Sequence, residues 1–338
     1  MLAFSAARIR AIALLSGGLD SALAIRLLRE QGVGVLALNF TSAFCTCSAK
    51  NSGCHLASEV ARELDVPIRV LNKGLDYLKI VEHPRFGHGR GLNPCIDCRI
   101  FMLTKAADMM ADEGASFVVT GEVLGQRPMS QHRRAMDAIE RESGLSGLLL
   151  RPLSAHLLEP TIPEVRGWVD RDRLLAIQGR SRREQLALAR ERGVALFSCA
   201  TGGCRLTDPA VARRMRDLFR CCPDYDLGDA RLCTFGRHLR IRDGLKLIVG
   251  RNAEENARLS AAGSRYGRVE LLDCPGPLAL TRGEADSQDL ARVGRVLLYF
   301  AKKAVGPTVT ARYSYGTRQV EYPVLGSAMR DDIAGWTI

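Results

Sequence analysis

Two cysteines three positions apart sit in the string Asn93-Pro94-Cys95-Ile96-Asp97-Cys98-Arg99. A helix opening at this string would hold both thiols near its positive N-terminal end, which favours thiolate over thiol. Thiolates are nucleophiles and soft metal ligands, so the pair predicts one chemistry or the other. A third thiol lies about a hundred residues downstream, in Phe197-Ser198-Cys199-Ala200-Thr201-Gly202-Gly203-Cys204. Cys204 directly follows two glycines that let the backbone bend around a sulfur, which favours it over Cys199. Far upstream, the apolar run Ala11 to Leu15 enters Ser16-Gly17-Gly18-Leu19-Asp20-Ser21, and a helical pattern leaves it. Bared N–H groups at the head of a helix make a cradle for phosphate. No Gly-Lys-Ser/Thr follows and the spacing is not Gly-x-Gly-x-x-Gly, so neither familiar nucleotide loop is present.

These strings need elements to position them. Residues 11 to 153 alternate strand-like and helix-like pieces, with near-continuous apolar runs at Val33 to Phe40, Phe117 to Gly121 and Leu148 to Pro152. That alternation predicts an α/β fold with a doubly wound parallel sheet, whose ligands sit outside the carboxyl ends of its strands. Helices are expected near residues 55–65 and 98–113, the second carrying Cys98. Residues 161 to 220 read as helical, with Thr161-Ile-Pro-Glu164, Ser181-Arg-Arg-Glu184 and Asp208-Pro209 as start signals. Past residue 229 the pattern becomes a smaller α+β domain, with Asp243-Gly244 between two strand-like runs as a hairpin signal. The expected divisions are 8–160, 161–228 and 229–338.

The chain of 338 residues carries 48 Lys and Arg against 37 Asp and Glu, a formal net charge of +11. The excess suggests a polyanionic partner beyond a nucleotide. Between Arg166 and Arg220 stand 13 arginines and six acidic residues, a concentration suited to RNA phosphates. From residue 230 onward, 17 basic residues face 11 acidic ones. No stretch is long and apolar enough for a membrane span and no signal peptide is expected. Eleven cysteines without export signals point to thiol or metal chemistry in a cytoplasmic protein rather than a disulfide scaffold.

The Ser16–Ser21 string resembles the PP-loop of ATP pyrophosphatases, which split ATP between its α and β phosphates and adenylate a substrate. The segment around Cys95 and Cys98 is similar to the N-P-x-x-x-C segment of tRNA 2-thiouridylases, with Cys98 at the family's catalytic cysteine. It departs from that family at Cys95, where an acidic residue is usual, and there resembles cluster-dependent tRNA thiolases. Thr120-Gly121-Glu122-Val123-Leu124-Gly125-Gln126-Arg127-Pro128-Met129-Ser130-Gln131 and Leu150-Arg151-Pro152-Leu153 resemble segments of tRNA 4-thiouridine synthetases. Gly250-Arg-Asn-Ala-Glu-Glu-Asn256 resembles the signature of the NFACT-R module, linked to RNA binding.

The resemblance implies ATP and Mg²⁺ over Ser16, Gly17, Gly18, Asp20 and Ser21, with Asn39, Gly121, Gly125 and Gln126 completing the nucleotide site. Cys95, Cys98, Cys204 and Asp20 would carry catalysis. The three cysteines are also the set that would hold a [4Fe-4S] cluster, and the persulfide and cluster routes stay open. Cys45, Cys47, Cys54 and His55 form a second group that could bind zinc, relay sulfur or simply stay reduced. Tyr313 and Tyr315 could stack on bases or fill a core. The expected function is ATP-dependent thiolation of RNA, most readily tRNA uridine or cytidine, with a cysteine desulfurase or free sulfide as sulfur donor. Two readings compete: a PP-loop synthetase transferring nitrogen, and a non-catalytic RNA- or ribosome-binding factor that keeps a nucleotide pocket.

Overall fold

The computed structural model describes residues 9–45, 53–197, 204–301 and 308–338. The chain divides into two compact units, residues 1–207 and 208–338. The basic segment 161–228 is therefore shared between the units rather than forming a body of its own.

In the first unit the elements run β1 (Arg10–Leu14), α1 (Leu19–Arg29), β2 (Gly34–Thr41), α2 (Gly53–Glu63), β3 (Ile68–Asn72), α3 (Gly74–Glu82), α4 (Cys95–Asp108), β4 (Phe117–Thr120), α5 (Arg133–Glu142), β5 (Leu149–Leu150), α6 (Ile162–Val165) and α7 (Arg183–Glu191). The five strands pair in the order β3-β2-β1-β4-β5, all parallel. Ala11, Ala13 and Leu15 face a cluster with Leu19, Leu23 and Leu27 of α1, while Ile12 and Leu14 face Leu103, Ala106 and Ile139 of α4 and α5. Burial on both faces is why β1 is apolar at every position after Arg10 rather than alternating. The chain winds outward from β1 to β3 and then returns to β4 on the other side of β1. The crevice beyond β1 and β4 is thus the switch point of the sheet.

Two helices here were not foreseen: α3, which follows β3 through Lys73, and α5, whose buried stripe is Ala135, Met136 and Ile139. The expected run of helices from 161 is interrupted. Residues 175–179 instead form an extended strap: Leu175 N donates to Pro152 O at 2.9 Å, Ile177 N to Leu153 O at 2.8 Å and Gly179 N to Leu124 O at 2.7 Å. Backbone groups satisfied by neighbouring segments have no need of a helix. Thr161 does cap α6 in a capping box, but α7 starts at Arg183 with no side-chain cap, and Ser181 only accepts from Arg183 N.

The second unit contains α8 (Pro209–Cys221), α9 (Leu227–Leu232), β6 (Arg237–Arg242), β7 (Leu245–Val249), α10 (Ala253–Ser260), β8 (Gly267–Leu271), β9 (Ala279–Arg282), α11 (Ser287–Phe300), β10 (Thr308–Tyr315), β11 (Arg318–Leu325) and α12 (Arg330–Trp336). Its six strands form an antiparallel sheet in the order β11-β10-β8-β9-β7-β6, with the expected β6–β7 hairpin turning at Asp243-Gly244. Asp208 caps α8 as expected, accepting from Ala210 N and Val211 N. Leu290, Val293 and Leu297 of α11 pack on the sheet with Val269 and Tyr313. Tyr313 is fully buried, so it is core and not a platform for bases; Tyr315 packs half-buried beside it.

Candidate active site at the switch point of the parallel sheet

The pyrophosphate cradle follows β1 directly. Gly17 takes a φ of 75°, in the left-handed region that glycine adopts freely, and Gly18 stands before the first turn of α1 with no side chain capping it. The leading N–H groups of an eleven-residue helix are thus left to a ligand. The serines knit the turn from within: Ser21 Oγ donates to Gly18 O at 2.8 Å, Ser16 Oγ lies 3.2 Å from Ser21 Oγ, and Gly18 N donates to Ser16 Oγ at 3.3 Å. Asn39 near the end of β2 donates from Nδ2 to Leu15 O at 2.7 Å and is buried, so it braces the root of the loop.

Asp20 receives Gln126 Nε2 at 3.1 Å on Oδ2, while Oδ1 is buried without a hydrogen-bond partner. Burial pushes its carboxyl above the usual range, against the Gln126 hydrogen bond and the charges of Arg182 and Arg127. A half-satisfied carboxylate beside a phosphate cradle suits a divalent cation carried by a nucleotide. The orphan oxygen and the uncapped helix together fit Mg²⁺ and ATP.

Gly121 closes this site from the end of β4. A Cβ at 121 would fall 2.5 Å from Ser21 N and closer still to the Asp20 carbonyl. Gly125, at φ 77°, instead lies against Gly179 of the strap. The strap then delivers Arg182 to the electrostatic surroundings of Asp20.

Glu122, the residue after Gly121, ties the end of β4 to the cysteine-bearing helix. It is 1% exposed, accepts Arg151 Nε at 3.2 Å, and lies 3.5 Å from Nε of Arg99, the residue after Cys98 on α4. Burial alone would lower the Arg99 guanidinium, but the charges of Glu122, Cys95 and Cys98 together outweigh it and raise it above its usual value.

Cys95 is the first residue of α4, and its thiol donates to Ser130 Oγ at 3.3 Å. Cys98, one turn on, accepts from Lys73 Nζ at 3.0 Å. That ammonium also sits 4.5 Å from the centre of the Tyr77 ring. Burial alone would raise the Cys98 thiol, but the charge and hydrogen bond of Lys73, the Tyr77 hydroxyl and Arg99 outweigh it and bring it below its usual value. Burial pushes the Cys204 thiol up to about 11, and among the described residues no cation is bonded to its sulfur. Arg205 N donates to Phe44 O and Leu92 N to Leu206 O, which pins Cys204 in the same neighbourhood. The Tyr77 phenol feels Cys98, Cys204 and Cys95 and, with burial as the largest cause, is held well above its usual value.

The three thiols therefore converge, but not as a ligand set. Among the described residues, no three His, Cys, Asp or Glu side chains stand grouped as around a metal ion. Cys98 is turned to Lys73 and Cys95 to Ser130. Cys45, whose sulfur accepts from Ser42 N at 3.2 Å, contributes to the field at Cys204. Cys47 and Cys199 lie outside the described residues, as do the side chains of Cys54 and His55, so the zinc expectation lies outside the described residues too.

Lys73, Tyr77, Arg99 and Arg182 were not singled out from the sequence. Lys73 had a usable signal, since it immediately follows a parallel strand at the ligand-binding end. Arg182 had none, because only the strap brings it near.

Comparison with known proteins agrees with this geometry. Residues 9–143 match the tRNA methyl transferase HUP domain family, and residues 236–337 match the NFACT protein RNA binding domain family. The chain is 26% identical over 195 residues to tRNA-specific 2-thiouridylase MnmA of Dichelobacter nodosus, covering 54% of this chain and 48% of that one. It is 27% identical over 111 residues to the protein of the same name from Pelobacter propionicus, covering 32% and 31%. The chain thus spans about a third to a half of the length of these relatives. A solved 4-thiouridine synthetase–RNA complex with bound ATP aligns over 67% of this chain and 53% of that chain, at 22% identity and a TM-score of 0.39. No helix of the described residues is long and apolar enough to cross a membrane. Residues 9–143 are thus similar to the tRNA methyl transferase HUP domain family, and residues 236–337 to the NFACT protein RNA binding domain family.

Proposed function

We propose that this protein is an ATP-dependent sulfurtransferase that adenylates a base carbonyl of RNA, a uridine or cytidine of tRNA, and replaces its oxygen with sulfur. The observation that carries the reading is the union of two sites in one crevice. Gly121 lies hard against Asp20 and Ser21 of the cradle, the next residue Glu122 lies 3.5 Å from Arg99, and Arg99 follows the Lys73-bonded Cys98 on α4. A synthetase transferring nitrogen would have no use for a thiol held in this way.

In this reading the cradle and the helix end hold the β and γ phosphates, and Asp20 holds the cation that comes with them. Mg²⁺ would offset charge on the departing pyrophosphate. The base carbonyl oxygen attacks the α-phosphorus; an O–P bond forms and pyrophosphate leaves with its electron pair. Cys98, as thiolate, takes the outer sulfur from a persulfide donor R–S–SH. An S–S bond forms at Cys98, the donor's S–S bond breaks, and RS⁻ leaves. The outer sulfur, deprotonated, attacks the activated carbon and AMP departs with the former carbonyl oxygen, leaving the base linked to Cys98 through a disulfide. Cys204 then attacks Cys98 Sγ. The thiolated base leaves with the electron pair and takes up the proton from Cys204, and an external dithiol reduces the Cys98–Cys204 disulfide.

RNA would be gathered by the NFACT-type domain and by basic residues of the first unit. Mass spectrometry of nucleosides from cells with and without the gene tests the reading. Loss of one thiolated nucleoside names the product, and an unchanged profile overturns it.

A further inference from the structure

The Gly250–Asn256 string, by which the second unit resembles the NFACT-R module, is taken up inside the fold. Asn252 accepts from Glu255 N at 2.9 Å and so caps α10, and Asn256 Oδ1 accepts from Leu278 N at 3.2 Å. A Cβ at Gly250 would fall 2.1 Å from that same Oδ1, and Arg251 forks onto Glu255. These residues build the corner between β7 and α10. The sheet offers no open platform. Leu247 and Val249 of β7 are buried with Leu290 and Val293 of α11, while Ile248 between them is buried with Leu259 of α10. With both faces of the central strands covered, a base has to meet the unit on its helices.

The chemistry for such a contact collects on the outer face of α11. Tyr299, 38% exposed, carries the one exposed aromatic ring among the described residues. It meets Phe300 with ring centroids 4.9 Å apart and planes at 86°. A perpendicular contact occupies at most one face of the Tyr299 ring, so a face remains for a stacking partner. Phe300 in turn holds the Arg237 guanidinium 4.4 Å from its ring centre. Arg292 and Arg295 precede Tyr299 by seven and four positions, which puts all three on one side of the helix over about 10 Å. Arg237 donates to Gly250 O at 3.2 Å and Arg295 to Ser327 O at 3.5 Å, and among the described residues neither pairs with a carboxylate. Arg292 lies 3.6 Å from Asp289, whose carboxylate is already forked by Arg242. Three arginines thus stand around an open tyrosine ring with little of their charge offset.

We propose that this face of α11, with Arg237 beside it, is the surface on which the second unit holds unpaired RNA. Tyr299 stacks on a base, and the three arginines meet the phosphates on either side. The exposed ring selects a single strand. A stacked base has to be out of its duplex, whereas phosphate contacts alone would not tell strand from duplex. Binding should also tolerate any sequence, since every base has a π face. This rests on the RNA-binding reading of the second unit and is independent of the chemistry at the switch point.

The test measures fluorescence anisotropy of the full chain with a fluorescein-labelled oligouridine, and with an RNA duplex of the same length, over a range of salt. The unaltered protein should bind oligouridine. Tyr299→Ala should weaken that binding by about tenfold or more, with an unchanged slope of log affinity against log salt. Tyr299→Phe should bind as the unaltered protein does, because the ring stacks and the hydroxyl does not. Arg295→Gln should make the slope shallower by about 0.7, the value for one phosphate of a single strand. Duplex binding should be the same in Tyr299→Ala as in the unaltered protein. Oligouridine bound at native affinity by Tyr299→Ala overturns the proposal and leaves the RNA-binding reading standing. An equal loss on strand and duplex overturns it too, since no stacked base would then be involved. If the unaltered protein binds neither probe, the RNA-binding reading and the proposal fall together.

Discussion

Gly121 and Asp20 approach so closely that a single methyl group at position 121 would be driven into the Asp20 backbone and the Ser21 amide. Strand β4 thus forms one wall of the phosphate cradle through a residue with no side chain. Gly121→Ala must push the loop away from β4. ATP affinity measured by calorimetry should fall by tenfold or more, matching the ~1–3 kcal/mol typical of overpacking. Binding of ATP at native affinity would show that the cradle does not need this close approach.

Glu122 lies between two arginines and away from water, with side-chain exposures of 2% for the acid and 4% for Arg151. Removing one partner of a buried ion pair leaves the other charges without compensation. Glu122→Ala should lower the stability of the first unit by about 3 kcal/mol, read as an earlier denaturant midpoint. A loss under 1 kcal/mol would mean that water reaches Arg151.

The two cysteines of α4 should answer differently to serine. In Cys98→Ser thiolation should vanish, with ATP binding intact, because no thiolate remains beside Lys73. Cys95→Ser keeps a hydroxyl that can donate to Ser130, and should retain activity within about tenfold. Equal loss in both, scored as thiolated nucleoside formed on tRNA, would remove the distinction.

His238 is buried in the second unit, donates from Nε2 to Phe235 O at 2.8 Å, and has no partner for Nδ1. Burial, then the charges of Lys246 and Arg214, hold its imidazole well below 6.5. Below pH 6.5 the unfolded chain takes up a proton that the folded chain refuses. Stability is therefore full above that pH and declines as pH falls toward the folded-state value, by up to about 1.4 kcal/mol per pH unit. His238→Gln should flatten that slope in melts of the full chain between pH 7.5 and 5.5.

Arg183 and Arg190 are exposed and seven residues apart on α7, hence on one face. If that face tracks an RNA backbone, charge reversal at both should weaken tRNA binding regardless of sequence. It should also flatten the log-affinity against log-salt plot by about one for each phosphate that is no longer neutralised. An unchanged slope would place the RNA elsewhere.

The fold was legible wherever local patterning and tertiary burial agree. Strand β1 and helix α1 could be read because every buried position but Ser21 is apolar, and the β6–β7 hairpin because Asp243-Gly244 suits a tight turn. The strap was not, because its extended form is set by carbonyls of Leu124, Pro152 and Leu153, remote in sequence. Serine and cysteine motifs announced themselves by spacing. Lys73 offered only its place directly after β3, a weaker signal than motif spacing.

The strap also decides what counts as a whole site. A piece of the chain ending at residue 160 would hold the PP-loop, both cysteines of α4 and the segment after β4. It would lack the backbone that crosses Gly125, the arginine that reaches toward Asp20, and Cys204. Such a piece would carry every motif by which the site is recognised and still be open on one side. The first compact unit, which holds all of these groups, runs to Thr207.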